Sequence, residues 1–258
     1  MKFLYLFTFL LGFTLSISVN AQNTAIAAGE QLVYTASYNM SGILTDIAQV
    51  SMETSTVKTS KATLLRLKCK ALTYGKWDNF FKIRDLYETY VNPKTLTPYL
   101  HKRDINEGSY FKNMKYTFSH KTKTVKSVLT KKNNYVQKKT FNFTPGTKDI
   151  VTTLYKLRLY NYETMSVGGK KSFTILFDRK EIKAQVVYLG KETISTAIGE
   201  KKCYKLAISA NTTNVLQGSN NNLIWLTADA NKILVYGKFK IPVGSGTLRI
   251  KSADGLKN

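Results

Sequence analysis

The chain has 258 residues and a net charge of +23, with 39 lysines and arginines against 16 aspartates and glutamates. That length carries one large all-β domain, or two small ones, with a substantial core. The basic balance draws polyanions at low salt. Nucleic acid is nevertheless excluded as a partner, because there is no recognition-helix pattern and no RRM or zinc-finger signature.

Met1-Lys2 supplies a short positive end, and Phe3 to Leu15 is an apolar run broken by Thr8, Gly12 and Thr14. Val19-Asn20-Ala21 offers small residues for cleavage before Gln22. This order is that of a secretory signal, and the run is shorter than the roughly 20 residues a bilayer span needs. Residues 1–21 are expected to be removed, leaving residues 22–258 as a single β-rich domain without a transmembrane segment. A bacterial lipoprotein has cysteine as its first mature residue, and Gln22 stands there instead. The expected location is therefore periplasmic or outer-envelope associated, with no lipid anchor.

Alternation with period two then dominates, between turn signals. Strands are predicted over residues 31–38, 45–57, 62–74, 80–91, 96–104, 110–118, 122–129 and 135–143. In the third of these Leu65, Leu67, Cys69 and Ala71 share one face, and Arg66, Lys68 and Lys70 share the other. One segment breaks the pattern. Over residues 148–160, Ile150, Val151, Leu154, Tyr155, Leu157 and Arg158 recur at helical spacing, with Thr147 as the expected N-cap and Asp149 suited to the positive helix start. Strands resume over residues 172–177, 182–189, 192–197, 204–210, 223–227, 232–241 and 247–252. About fourteen strands with one helix predict a mostly β fold: a large curved antiparallel sheet or half-barrel, with the helix packed on its concave face, since a flat sheet of that size curls or splits.

The positive charge is lysine-rich, 33 against six arginines. No acidic residue stands between Glu107 and Asp149, an interval holding Lys112, Lys115, Lys121, Lys123, Lys126, Lys131, Lys132, Lys138, Lys139 and Lys148. Such lysines keep exposed strand edges soluble. The alternative is attraction to anionic lipid, glycan or envelope surface.

Several motifs stand in a familiar order: Gly29-Glu30-Gln31-Leu32-Val33-Tyr34, Phe81 to Val91, Leu96-Thr97-Pro98-Tyr99, Lys148 to Tyr155, Leu189 to Ile194, Ile224 to Asp229 and Gly255 to Asn258. The set resembles the DUF3108 family of exported proteins in its Bacteroidetes form, over Gly29 to Asn258. The resemblance implies an architecture similar to the curved sheet of periplasmic lipoprotein carriers, and it implies no activity. The sequence departs from the family at Leu86, where an arginine is usual, and at Lys156-Leu157-Arg158, which replaces a more aromatic stretch.

The chemistry-bearing residues are sparse. His101 and His120 are the two histidines, too few for a zinc site, and no G-x-S-x-G elbow accompanies them. Cys69 and Cys203 leave a disulfide open, although their strand phases argue against it. Arg84, Asp85, Glu88, Arg103, Asp104 and Glu107 form the densest mixed-charge region. Arg84 and Glu88 fall on one strand face and Asp85 on the other. Arg84, Asp85, Glu88, Arg103 and Glu107 are the candidate binding residues, and cross-strand ion pairing is the plainer account of them. The aromatics Tyr87, Tyr90, Tyr99, Tyr110, Phe111, Tyr116, Phe118, Tyr135, Phe141 and Phe143 serve either as core or as the walls of a pocket for an acyl chain or a sugar.

These features predict a non-enzymatic envelope protein that binds an amphiphile or an anionic envelope polymer, with envelope lipid, lipoprotein or anionic glycan as partner and no cofactor. The alternatives are a docking or structural module of the envelope, and a glycan or ester hydrolase.

Overall fold

The computed structural model describes residues 22–40, 42–210, 222–240 and 244–258. The predicted export signal, residues 1–21, lies outside them. Fifteen strands form one sheet: β1 (Gln31–Met40), β2 (Ile43–Lys58), β3 (Thr63–Thr73), β4 (Arg84–Val91), β5 (Pro98–Glu107), β6 (Tyr110–Ser119), β7 (Thr124–Lys131), β8 (Val136–Asn142), β9 (Lys148–Asp149), β10 (Lys170–Phe177), β11 (Lys180–Thr196), β12 (Gly199–Ala210), β13 (Leu223–Thr227), β14 (Leu234–Lys240) and β15 (Ser245–Asp254). The spatial order is β8-β7-β6-β5-β4-β3-β2-β1-β15-β14-β13-β12-β11-β10-β9. Each strand therefore meets its sequence neighbour, except that β1 pairs with β15 and joins the two halves of the chain. Every pairing is antiparallel apart from the two-residue β9 on β10.

The sheet curls but its edges, β8 and β9, do not hydrogen-bond to each other. Side chains bring them together instead. The turn between β10 and β11 carries Asp178 and Arg179, both at positive φ. From it Arg179 donates its backbone N–H to the Tyr116 hydroxyl at 2.8 Å, its Nε to Ser127 Oγ at 2.8 Å and an Nη2 hydrogen to the Gln137 carbonyl at 2.7 Å. Leu176 of β10 is buried with Met114, Tyr116, Phe118, Val125, Leu129 and Phe143 of the opposite side.

One helix, α1 (Ile150–Leu157), lies inside the curve. Its Val151 and Tyr155 are buried against Leu32, Tyr34, Met52, Leu65, Leu67 and Val91, the inward residues of β1 to β4. A further cluster joins Leu157 and Tyr162 to Val186, Tyr188, Leu206 and Ile224 of β11 to β13. The helix and these side chains fill the interior. The hollow that a curved sheet implies is thus occupied by the chain itself, which removes the exposed apolar face that the strand alternation creates.

The boundaries differ from expectation for local reasons. Asp149, not Thr147, caps α1: its carboxylate accepts from the Thr152 N–H at 3.0 Å. The Thr147 hydroxyl turns to Glu181 at 2.5 Å. The helix ends at Leu157 rather than Tyr160: Arg158 is its C-cap, with its backbone N–H turned to the Tyr155 carbonyl and its side chain in a buried ion pair. Strand β4 starts at Arg84, so Phe80 and Phe81 belong to a loop. Leu96 is fully buried at φ 53° in the turn before β5. The two strands predicted over residues 182–197 are one, β11, with an irregularity between Tyr188 and Lys191 that Gly190 permits at φ 106°. Cys69 and Cys203 are free thiols, and burial raises them to about 12 and about 11 respectively.

Candidate functional site

The inward face of β4 and β5 is polar, which a purely structural core avoids. Register places Tyr87 opposite Arg103 and Thr89 opposite His101, with Asp85 and Glu107 at the upper end of the same face. Of the five candidate residues, Asp85, Arg103 and Glu107 therefore lie inside, and Arg84 and Glu88 lie outside. Arg84 pairs with Asp78, and Glu88 with Arg66 at 3.6 Å. Arg103 pairs with Asp178 of the β10–β11 turn and covers the Phe177 ring at 4.2 Å. Asp104 lies close to Asn106, which donates to it at 3.1 Å. Glu88 and Arg66 make one cross-strand ion pair between β4 and β3, while Arg84 and Arg103 take their partners, Asp78 and Asp178, from connections outside the strands.

Burial holds the carboxyls of Asp85 and Glu107 above the ordinary carboxylate range, and the charge of Asp85 raises Glu107 further. The Asn106 N–H, donating to Asp85 at 3.0 Å, works against that rise. The folded state here keeps a proton that the unfolded chain gives up. This contribution is favourable at low pH and is lost as pH climbs from the ordinary carboxylate range through the raised folded value. Glu107→Gln keeps a donor for Asp85 and removes the like charge. It is expected to raise thermal stability at pH 7 by about 2–4 °C, the response of a chain this size to about 1 kcal/mol, and to leave it unchanged at pH 3. Calorimetry at the two pH values checks this.

His101 is a core residue. Its Nδ1 lies 2.8 Å from Thr89 Oγ1 and 3.3 Å from Asp149 Oδ1. Thr89 donates to Asp149 at 2.7 Å, and Thr152 Oγ1 to the other carboxylate oxygen at 2.6 Å. All of these side chains are buried. Because the threonine hydroxyl is committed to the carboxylate, the trio lacks the order of a nucleophile, a base and an orienting acid. It ties the helix start to the sheet.

A different locus is open. Between Ala36 and Ser37 the β1–β2 register shifts, from Ala36 opposite Ala48 to Tyr38 opposite Thr45. The extra residue re-aims the end of β2 and carries Ile43 and Thr45 to the inward side at the mouth of the curved sheet. The loop from β3 to β4 folds over this end, the Trp77 indole donating to the Asp46 carbonyl at 2.9 Å. Together Tyr38, Ile43, Thr45, Ile47, Thr73, Trp77, Phe80, Phe81 and Ile83 line an apolar cleft of about 510 Å³. Phe80 is 80% and Ile43 72% exposed. Leu44, Phe81, Tyr110, Tyr135 and Val136 are also exposed, all in or beside the successive connections at this end of β1 to β8. Lys76, Lys82, Lys131 and Lys132 stand among them in solvent. Tyr110 and Tyr135, expected from the sequence as core or as pocket walls, stand beside this cleft in solvent; Ile43, Trp77 and Phe80 were not among the candidates. The signal was present in Trp77, Phe80 and Phe81, three aromatics within five residues beside a strand start, but Phe80 and Phe81 also fit the alternation predicted for the strand over residues 80–91.

An antiparallel sheet curled almost into a ring, filled by one helix, defines a β-barrel-like protein. DUF3108, described as proteins of unknown function, matches residues 33–251, and the chain belongs to that family. Among solved structures the chain is similar to a β-barrel-like protein of domain of unknown function DUF1849 from Brucella abortus. That likeness has 9% identity and a TM-score of 0.58, and it covers 89% of this chain and 98% of the other; it concerns the fold alone. A Bacteroides fragilis protein with a YmcC-like fold aligns at 8% identity and a TM-score of 0.32, over 89% of this chain and 97% of its own. No curated protein matches. No helix among the described residues is long and apolar enough to cross a membrane.

Proposed function

We propose that this is an exported envelope protein that binds an amphiphile, taking the apolar part into the cleft at the mouth of the sheet. The observation that carries the reading is the cleft itself. Large aromatic and aliphatic side chains are left in water at one end of a protein that buries its other apolar surface well, and such patches mark binding surfaces. The surrounding lysines suit an anionic head group at an interface, with their stems along the apolar surface. The export signal expected from the sequence of residues 1–21 supports an envelope setting.

Lipid extraction of the purified chain followed by mass spectrometry is expected to return a single-chain or double-chain amphiphile. In titrations with a lysophospholipid below its micelle concentration, Trp77 fluorescence reports occupancy. Replacing both rings, Phe80→Ser with Phe81→Ser, is expected to weaken binding at least tenfold, since each buried phenyl is worth about 1.5–3 kcal/mol. Tyr99→Ser, at the opposite end, leaves binding unchanged. A wild-type chain that comes out lipid-free and takes up no amphiphile sinks the proposal.

A further inference from the structure

A second cleft, of about 550 Å³, opens at the other end of the strands, where α1 faces the turns before β5 and after β6. Its chemistry is the reverse of that at the mouth. Lys148 lines it from the start of the helix and Lys156 from two turns further on, so two lysines of like charge share one cleft. Thr95, Thr97, Ser172, Thr174 and Tyr160 are hydroxyl-bearing residues of its lining, the Thr95 and Thr97 hydroxyls bonding each other at 2.8 Å, and Phe173 and His120 contribute rings; the Thr153 hydroxyl is committed to the Asp149 carbonyl at 2.8 Å.

No carboxylate lines this cleft among the described residues. Asp149 is next to Lys148 in sequence, but its oxygens are taken by Thr89, Thr152 and His101. Glu181, on the margin, accepts from the Thr144 N–H and hydroxyl at 2.7 Å each, and from the Thr147 hydroxyl. Lys148 makes no ion pair among the described residues. Burial lowers both ammonium groups, and the charge of Lys156 lowers Lys148 further. Folding thus brings two like charges together in a half-buried, hydroxyl-lined space. An oxyanion seated between them relieves that repulsion and forms charge-assisted hydrogen bonds. The hydroxyls and ring faces around it are what a sugar ring meets in a binding site.

We propose that this cleft binds an anionic saccharide, a sugar bearing a carboxylate or a phosphate, with Lys148 and Lys156 on the anion and the threonine and serine hydroxyls on the ring. The site is separate from the apolar mouth and does not rest on the amphiphile reading.

Calorimetric titration of the full chain with digalacturonate, glucose 6-phosphate, maltose and inorganic phosphate tests it. At least one of the two anionic sugars is expected to bind at least tenfold more tightly than both maltose and inorganic phosphate. Which of them binds identifies carboxylate or phosphate as the group recognised. Lys148→Gln and Lys156→Gln are each expected to weaken that sugar about tenfold, the loss of one charge-assisted contact. Lys138→Gln, an exposed lysine of the same basic interval, leaves it unchanged. In the unaltered protein, the bound sugar protects Lys148 and Lys156 from acetylation, a readout that needs no variant to fold. No binding of either anionic sugar, equal affinity for inorganic phosphate, or an equal loss in Lys138→Gln overturns the proposal.

Discussion

Arg158→Met is expected to destabilise the protein by about 3–5 kcal/mol, the cost of stranding a buried charge. Arg158 donates from Nη1 and Nη2 to both oxygens of Glu30 at 2.6 and 2.7 Å. It also donates from Nε to the Asn231 carbonyl at 2.9 Å and from Nη2 to the Ala25 carbonyl at 3.1 Å. One guanidinium thus holds the amino-terminal segment, the β1 entry, the helix end and the β13–β14 turn. Both side chains are almost wholly buried. The hydroxyls of Tyr34 and Tyr155 are buried without a partner among the described residues, and burial drives both tyrosines above the ordinary phenol range, so neither supplies a charge to Glu30. Without the arginine, Glu30 has no compensating charge. The melting temperature is expected to fall by about 6–20 °C. Glu30→Gln combined with Arg158→Met is expected to recover part of the loss, because neither charge is then left alone. Thermal unfolding of the three chains decides it; a single variant as stable as the wild type refutes the account.

Asp149→Ala is expected to cost about 2–4 kcal/mol, a helix cap and buried hydrogen bonds together. The same carboxylate gives a pH signature. Burial alone raises it, but His101 and the Thr152 hydroxyl and N–H outweigh that and hold it down to about 2. A carboxylate lowered on folding stabilises the protein above its unfolded value and loses that contribution as pH falls through the folded one. Between about pH 4 and pH 2 the wild type therefore sheds about 2 kcal/mol at this residue. Asp149→Asn keeps an oxygen for the cap but has no such loss, so its stability profile over that interval is flatter. Denaturant titrations at pH 7, 4 and 2 show this as a narrowing gap between the two chains. A gap that is constant with pH removes Asp149 from the acid response.

The strands were legible because alternation is local: Leu65, Leu67 and Cys69 declare a face within five residues. The helix was legible for the same reason, and its apolar stripe implied the concave side on which it lies. The cleft was not, since Ile43 and Ile47 meet Phe80 and Phe81 only after a register shift that no local pattern announces. Glu30 and Arg158 are 128 positions apart. The one hint was an arginine continuing an apolar helical stripe, which signals a charge directed inward. Arg103 gave a similar hint by sharing a strand face with His101, yet its partner, Asp178, sits in a turn read only as a break between strands. Contacts of this range depend on how far the sheet curls, and curling is set by the whole ladder.

The edges of the sheet meet through Arg179, Leu176 and the Arg103–Asp178 pair rather than through a ladder. In a closed barrel, strand number and stagger set the circumference once and for all. Here the closing contact is made by side chains, so the two ends of the strand order are joined without a backbone ladder between β8 and β9. Closure of this architecture therefore hangs on one arginine-bearing turn and the apolar packing beneath it.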